Sequence, residues 1–136
     1  MVGILVITHY KLGVELIAAA SMMGVKADHI EALSVDLQQN SEKLRKDILT
    51  AIKRLDNGDG VLIMTDMFGG TPSNLSLSFL EEGKVEVLTG VNLPILIKLS
   101  TLRGEKNLNE LAKQLKSFGQ KNINLASEIM NKKVDK

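Results

Sequence analysis

Three features of the sequence predict an α/β fold built on an open, mostly parallel sheet with helices on both faces. Two short runs, residues 2–8 (V-G-I-L-V-I-T) and 61–65 (V-L-I-M-T), are apolar enough to be buried on both sides. Each run is followed at once by a titratable residue, His9 or Asp66, and then by a loop and a helix-forming segment. Strand-like and helix-like segments alternate as βαβαβαβ, an order that sets the strands parallel and joins them by right-handed crossovers.

Taken in order, residues 2–8 form a strand that starts almost at the first residue, and a central place in the sheet is expected for it. Leu12, Leu16, Ala19, Ala20 and Met23 recur with a helical period, and Gly24 marks the end of that helix. Residues 30–37 alternate apolar and polar, as an edge strand does. Asn40 or Ser41 caps a second helix, with Leu44, Ile48, Ala51, Ile52 and Leu55 on one face. Asn57-Gly58-Asp59-Gly60 is a turn before the strand at 61–65. Beyond Asp66, Gly69 and Gly70 make a tight turn. Thr71 reads as an N-cap and Pro72 as the first position of a helix to about residue 80.

A fourth strand is expected at 85–88, then a loop at 89–94 and a helix at 95–102. Asn107 caps a further helix carrying Leu108, Leu111, Leu115 and Phe118, with Gly119 as its stop. The tail at 120–136 fits two patterns. Ile123, Leu125, Ser127 and Ile129 alternate as in a strand, while Ile123, Ala126 and Met130 share a helical stripe. With no repeat, low-complexity tract or linker, residues 1–136 read as a single domain.

Composition excludes several function classes. A formal charge of +1 and 3% aromatic residues argue against a nucleic-acid surface. There is no cysteine, so disulfides and thiolate metal sites are ruled out. No apolar run reaches membrane-spanning length and no basic segment precedes the first strand, so a cytoplasmic protein is expected.

If the first strand is central, the first and third strands are neighbours and His9 and Asp66 face one crevice at the carboxyl ends of the strands, where open α/β sheets hold ligands. A carboxylate that accepts one ring N–H of a histidine fixes the tautomer and leaves the other nitrogen as a nucleophile. The turn at 67–72, with Gly69, Gly70 and Thr71, adds backbone N–H groups suited to an anion. Nucleophile, orienting acid and anion donors together point to phosphoryl transfer. The sequence has neither a G-x-x-x-x-G-K-[ST] loop nor a G-x-S-x-G elbow. A receiver domain would need acidic residues where Thr8-His9-Tyr10-Lys11 stands. A metal would need a third ligand, and His29 is the one other histidine, placed before an edge strand. Neither metal nor cofactor is expected.

The segments I-T-H-Y-K-L-G, G-V-L-I-M-T-D-M-F-G-G-T-P-S-N and G-V-N-L-P together resemble the IIA component of the mannose/sorbose family of the bacterial sugar phosphotransferase system. The resemblance covers essentially the whole chain. It implies a phosphocarrier that takes a phosphoryl group from phospho-HPr on His9, with Asp66 as the partner of the ring Nδ1, and passes it to a IIB component. The membrane components IIC and IID would be engaged indirectly, at the inner face of the membrane. It also implies a homodimer in which a C-terminal strand around residues 123–127 is exchanged, antiparallel, at the sheet edge. The alternative is a regulatory IIA domain whose phosphorylation switches partner binding without sugar transport. One position departs from the family pattern: glycine commonly follows the histidine, and here Tyr10 does. Glycine accepts a positive φ that tyrosine resists.

Overall fold

The structure is a computed structural model that describes residues 1–134. Four strands, β1 (Gly3–His9), β2 (Ile30–Val35), β3 (Val61–Thr65) and β4 (Val85–Thr89), form one sheet in the order β2-β1-β3-β4. Every neighbouring pair is parallel. β1 and β3 are therefore the two central strands, and their side chains alternate between two cores. Val2, Ile4, Val6, Leu62 and Met64 face one side; Leu5, Ile7, Val61 and Ile63 face the other. All nine are essentially inaccessible to water, which is why these runs carry no polar alternation.

The first connection runs from β1 out to β2, and the next crosses back over β1 to β3. With right-handed crossovers, that reversal puts the intervening helices on opposite faces. Helix α1 (Leu12–Met22) lies on one face; α2 (Ser41–Leu55) and α3 (Thr71–Leu77) lie on the other. After β4 the chain returns to the α1 side with α4 (Leu93–Leu102) and α5 (Leu108–Lys121). Asn40, Asn92 and Asn107 cap α2, α4 and α5, each accepting a backbone N–H from the first turn. Arg103, just past α4, is buried and reaches back across the chain. Its guanidinium donates to the carbonyls of Val2, Asp28 and His29, tying the starts of β1 and β2 to the end of α4.

Several boundaries differ from expectation. β2 ends at Val35 and α3 at Leu77, both earlier than predicted. Thr71 is the first helical residue of α3, and the N-cap is Gly70, which makes no side-chain cap bond. α5 runs through Gly119 to Lys121. A Cβ on Gly119 would lie 2.6 Å from Ile95 Cδ1. That glycine permits α5 to press against α4 and does not stop the helix. Asn122 makes the stop, its side chain donating to the Phe118 carbonyl at 2.9 Å.

The tail takes the second of its two patterns. Residues 123–125 are irregular and Ala126–Val134 form α6. The extended segment at 123–127 implied by the family resemblance is not present in the single chain. Among the described residues the segment pairs with none of the four strands of the sheet, so it has no ladder to hold it extended. Ile123 and Leu125 are both exposed. Positions 135–136 of the tail lie outside the described residues.

Candidate functional site

β1 ends in Thr8-His9, β3 ends at Thr65 with Asp66 directly after it, and the register sets Ile7 beside Thr65. At this level β1 divides its hydrogen bonds between its neighbours. Toward β2 the pairing continues one residue further, with Tyr10 N–H donating to the Val35 carbonyl at 2.9 Å. Toward β3 the ladder stops and a carboxylate takes over. Asp66 Oδ2 accepts the backbone N–H of His9 at 2.9 Å and lies 2.9 Å from His9 Nδ1. One oxygen thus holds both the main chain and the ring of the same residue. A carboxylate can only accept, so in the neutral ring Nδ1 carries the proton and Nε2 the lone pair.

The pair is asymmetric in exposure. The Asp66 side chain is 11% exposed and that of His9 is 34% exposed. Asp66 Oδ1 is buried and has no hydrogen-bond partner among the described residues, so the carboxylate's contacts converge on His9.

The two threonines play matching roles. Thr8 Oγ1 donates to the Tyr10 carbonyl and Thr65 Oγ1 to the Met67 carbonyl, each across the functional residue between them. Thr8 Oγ1 also accepts the N–H of Gly13 at 2.7 Å, a cap for α1 supplied from the strand. Sequence reasoning passed over both hydroxyls. The signal was present as threonine immediately before each titratable residue.

Gly69 and Gly70 both take positive φ, +88° and +82°. Only Gly70 touches the histidine: a Cβ there would lie 3.0 Å from His9 Cε1 and 3.2 Å from Nε2. A Cβ at Gly69 would meet nothing within 4 Å. The N–H groups of Gly69, Gly70 and Thr71 make no hydrogen bond within the described residues, and the first bond of α3 is Asn74 N–H to the Gly70 carbonyl. The sequence-predicted residues are therefore contiguous. His9 and Asp66 bond directly, Gly70 packs on the ring at its free nitrogen, and Gly69 and Thr71 flank it.

Tyr10 has φ 52°, so the loop adopts the left-handed conformation despite the Cβ. The residue is 67% exposed, and the Lys11 ammonium sits 5.8 Å from its ring centroid. Phe68, Met67 and Leu12 on the adjoining segments are also exposed. No group of three or more metal-ligating side chains is found among the described residues, and none of their helices is long and apolar enough to cross a membrane.

The profile of the EIIA-man family, described as the PTS system fructose IIA component, matches residues 3–116 and so takes in every element from β1 into α5. This chain belongs to the EIIA-man family. Similar proteins include the PTS system fructose-specific EIIA component of Bacillus subtilis, 28% identical over 133 residues, or 97% of this chain and 91% of that one. The PTS system mannose-specific EIIAB component of Escherichia coli K12 is 27% identical over 105 residues. That match takes in 76% of this chain and 32% of the longer protein. Among solved structures, EIIA from Streptococcus agalactiae superposes with a TM-score of 0.84 at 19% identity, covering 94% of this chain and 99% of that one. The PTS IIA protein associated with the fucose utilization operon of Streptococcus pneumoniae gives 0.79 at 26% identity, covering 94% and 95%. As a IIA component of a sugar phosphotransferase system, the EIIA-man chain places its histidine–aspartate pair at the switch point of the sheet, between the two central strands.

Proposed function

We propose that this IIA component is a phosphocarrier that accepts a phosphoryl group from phospho-HPr on His9 Nε2 and passes it to a IIB component for sugar uptake. The single observation that carries this reading is the double grip of Asp66 Oδ2 on the His9 backbone and ring. It leaves Nε2 as the free nucleophile, at the exposed edge beside Gly70.

In the transfer, the Nε2 lone pair forms the new N–P bond while the donor's N–P bond breaks. The bonding pair returns to the donor's ring nitrogen. Nδ1 keeps its proton, so the phosphorylated ring is cationic, and the Asp66 carboxylate 2.9 Å away offsets that charge. The unused N–H groups of Gly69, Gly70 and Thr71 supply donors for the phosphoryl oxygens. Transfer to IIB is the same displacement, with His9 now the leaving group. The donor already holds an activated phosphoryl group, so the cycle needs neither nucleotide nor metal.

The assembly that fits this reading is a homodimer in the cytoplasm, meeting the membrane components only through IIB. The outer edge of β4 borders a groove of about 500 Å³ lined by Phe68, Leu88, Gly90, Lys116, Gln120 and Ile123. That edge is where an exchanged segment of a second copy would add its strand.

The test is reconstitution with phosphoenolpyruvate, enzyme I and HPr, read by intact-protein mass. Wild type gains one phosphoryl group and His9→Ala gains none. No gain by wild type, or a gain by His9→Ala, removes the proposal.

A further inference from the structure

The loop that carries His9 also holds a residue in a conformation its side chain disfavours. Tyr10 is one of two non-glycine residues with positive φ among the described residues, at 52°. Such a conformation persists only where the surroundings fix it. Here Tyr10 N–H is bound to the Val35 carbonyl at 2.9 Å, and the Tyr10 carbonyl accepts from Thr8 Oγ1 at 3.3 Å. The backbone is thus clamped on both sides, and the direction in which the ring leaves the loop is fixed. Yet the residue is 67% exposed, so the folded chain gains little from burying its side chain. A strained, clamped and exposed aromatic has a return only when something else covers it.

Its surroundings say what covers it. The chain has four aromatic residues, one tyrosine and three phenylalanines. Tyr10 directly follows His9, and Phe68 lies two residues after Asp66, so half of the aromatic set sits on the two loops that hold the pair. Phe68 is 75% exposed, and Met67 beside it and Leu12 at the start of α1 are exposed too. The nucleophile is bordered from both strands by apolar side chains open to solvent. A small phosphorylated molecule would have no use for that border, whereas a protein that delivers its phosphoryl group to Nε2 must lie directly over it. Rigid aromatic side chains at the centre of a contact carry much of its affinity.

We infer that Tyr10 is a specificity-determining residue for the phosphoryl-donor protein. Its ring packs against an apolar face surrounding the donor's own phosphorylated side chain. This rests on the phosphocarrier reading above. Tyr10 does not touch the transferred group. It acts on encounter and docking, and the ring does the work rather than the hydroxyl. Lys11, poised over the ring at 5.8 Å, occupies one face and leaves the other for the partner.

The experiment measures steady-state phosphorylation of wild type, Tyr10→Gly and Tyr10→Phe by phospho-HPr, with binding of unphosphorylated HPr followed by calorimetry. Glycine suits the left-handed backbone, so Tyr10→Gly folds, with Tm within about 3 °C of wild type. The expected result for Tyr10→Gly is a KM for phospho-HPr at least about tenfold higher, with kcat within about twofold and HPr affinity falling in parallel. Tyr10→Phe stays within about twofold of wild type in both constants. A KM for Tyr10→Gly within twofold of wild type overturns the inference, as does a lowered kcat at unchanged KM, which would place Tyr10 on the chemical step. Either result leaves the phosphocarrier reading standing. A wild-type protein that takes no phosphate from phospho-HPr removes both.

Discussion

Asp66 binds His9 twice through one atom: Oδ2 accepts the backbone N–H at 2.9 Å and sits 2.9 Å from ring Nδ1. The two bonds close a small ring that fixes both side-chain torsions of the histidine, and the tautomer follows because the carboxylate has no proton to give. Asp66→Asn keeps an acceptor but adds an N–H₂ group that can face Nδ1 and favour the other tautomer. The expected outcome is a folded protein whose phosphorylation by phospho-HPr slows by about 10- to 100-fold. Rapid-quench kinetics read the rate, and ring ¹⁵N shifts read the loss of the Nδ1–H form. An unchanged rate would reduce Asp66 to a structural role.

Gly69 and Gly70 provide a matched pair of substitutions. Both have positive φ, so alanine at either costs about 1–2 kcal/mol of stability. They differ in what the methyl group meets: open space at 69, and the His9 ring at 3.0–3.2 Å at 70. Gly69→Ala should lose stability and retain most of its rate of phosphate uptake. Gly70→Ala should lose similar stability, and its uptake should fall by at least about tenfold, because the new methyl crowds Nε2. Thermal melts beside uptake rates separate the two effects, and equal rates would show that the Gly70 contact is unimportant.

Arg103 is buried without a carboxylate bonded to it among the described residues, and burial lowers its pKa, with the charge of Asp28 acting in the opposite sense. It spends its donors on the carbonyls of Val2, Asp28 and His29. Arg103→Met fills similar volume and leaves three carbonyls without that partner. A loss of about 2–4 kcal/mol in urea unfolding is expected. Arg103→Lys should recover only part of it, since one ammonium cannot reproduce the planar fork. A loss below about 0.5 kcal/mol for the methionine variant would show that water replaces the guanidinium.

The edge strand β2 is fastened to α2 by Glu31 and Arg54, with Arg54 Nε 2.9 Å from Glu31 Oε2. The hydrogen bond from Arg54, reinforced by its charge, lowers the Glu31 pKa against the opposing effect of burial. A carboxyl whose folded pKa is depressed adds stability above its ordinary value of 4.5, and that contribution is lost as pH falls through the lowered value. Glu31→Gln should therefore melt a few degrees below wild type at pH 7, the difference shrinking below about pH 4.5 until the two coincide. A difference that persists unchanged at pH 2 would mean that the charge is not its source.

The parts of this molecule that the sequence announces are those built from short-range rules. The doubly buried runs at 2–8 and 61–65, the asparagine caps at 40 and 107 and the switch-point geometry of His9 and Asp66 all follow from local pattern plus the handedness of crossovers. Asn92 sits in a stretch that reads as a plain loop, and the structure makes it the cap of α4. Gly119 looks like a stop because it stands near a helix end, whereas its reason for being glycine is Ile95, on another helix. Arg103 was invisible for the same kind of reason, since its partners lie 74 to 101 residues away. Thr71 looked like a cap because Pro72 follows it, but the positive φ of Gly70 already turns the chain and starts the helix one residue earlier. The tail fits strand and helix patterns alike, and its single-chain form is helical from Ala126.

The histidine and its acid hang from β1 and β3, the two strands whose neighbours protect them on every side. Parting His9 from Asp66 means unzipping the middle of the sheet, and in a domain this small that is the same event as losing the whole fold. Amide protons of Val6 and Met64 should therefore exchange with solvent only as often as the entire molecule opens. The ability to take up phosphate should vanish on heating at the temperature where the helices melt, with no interval of a shapely but inert protein in between.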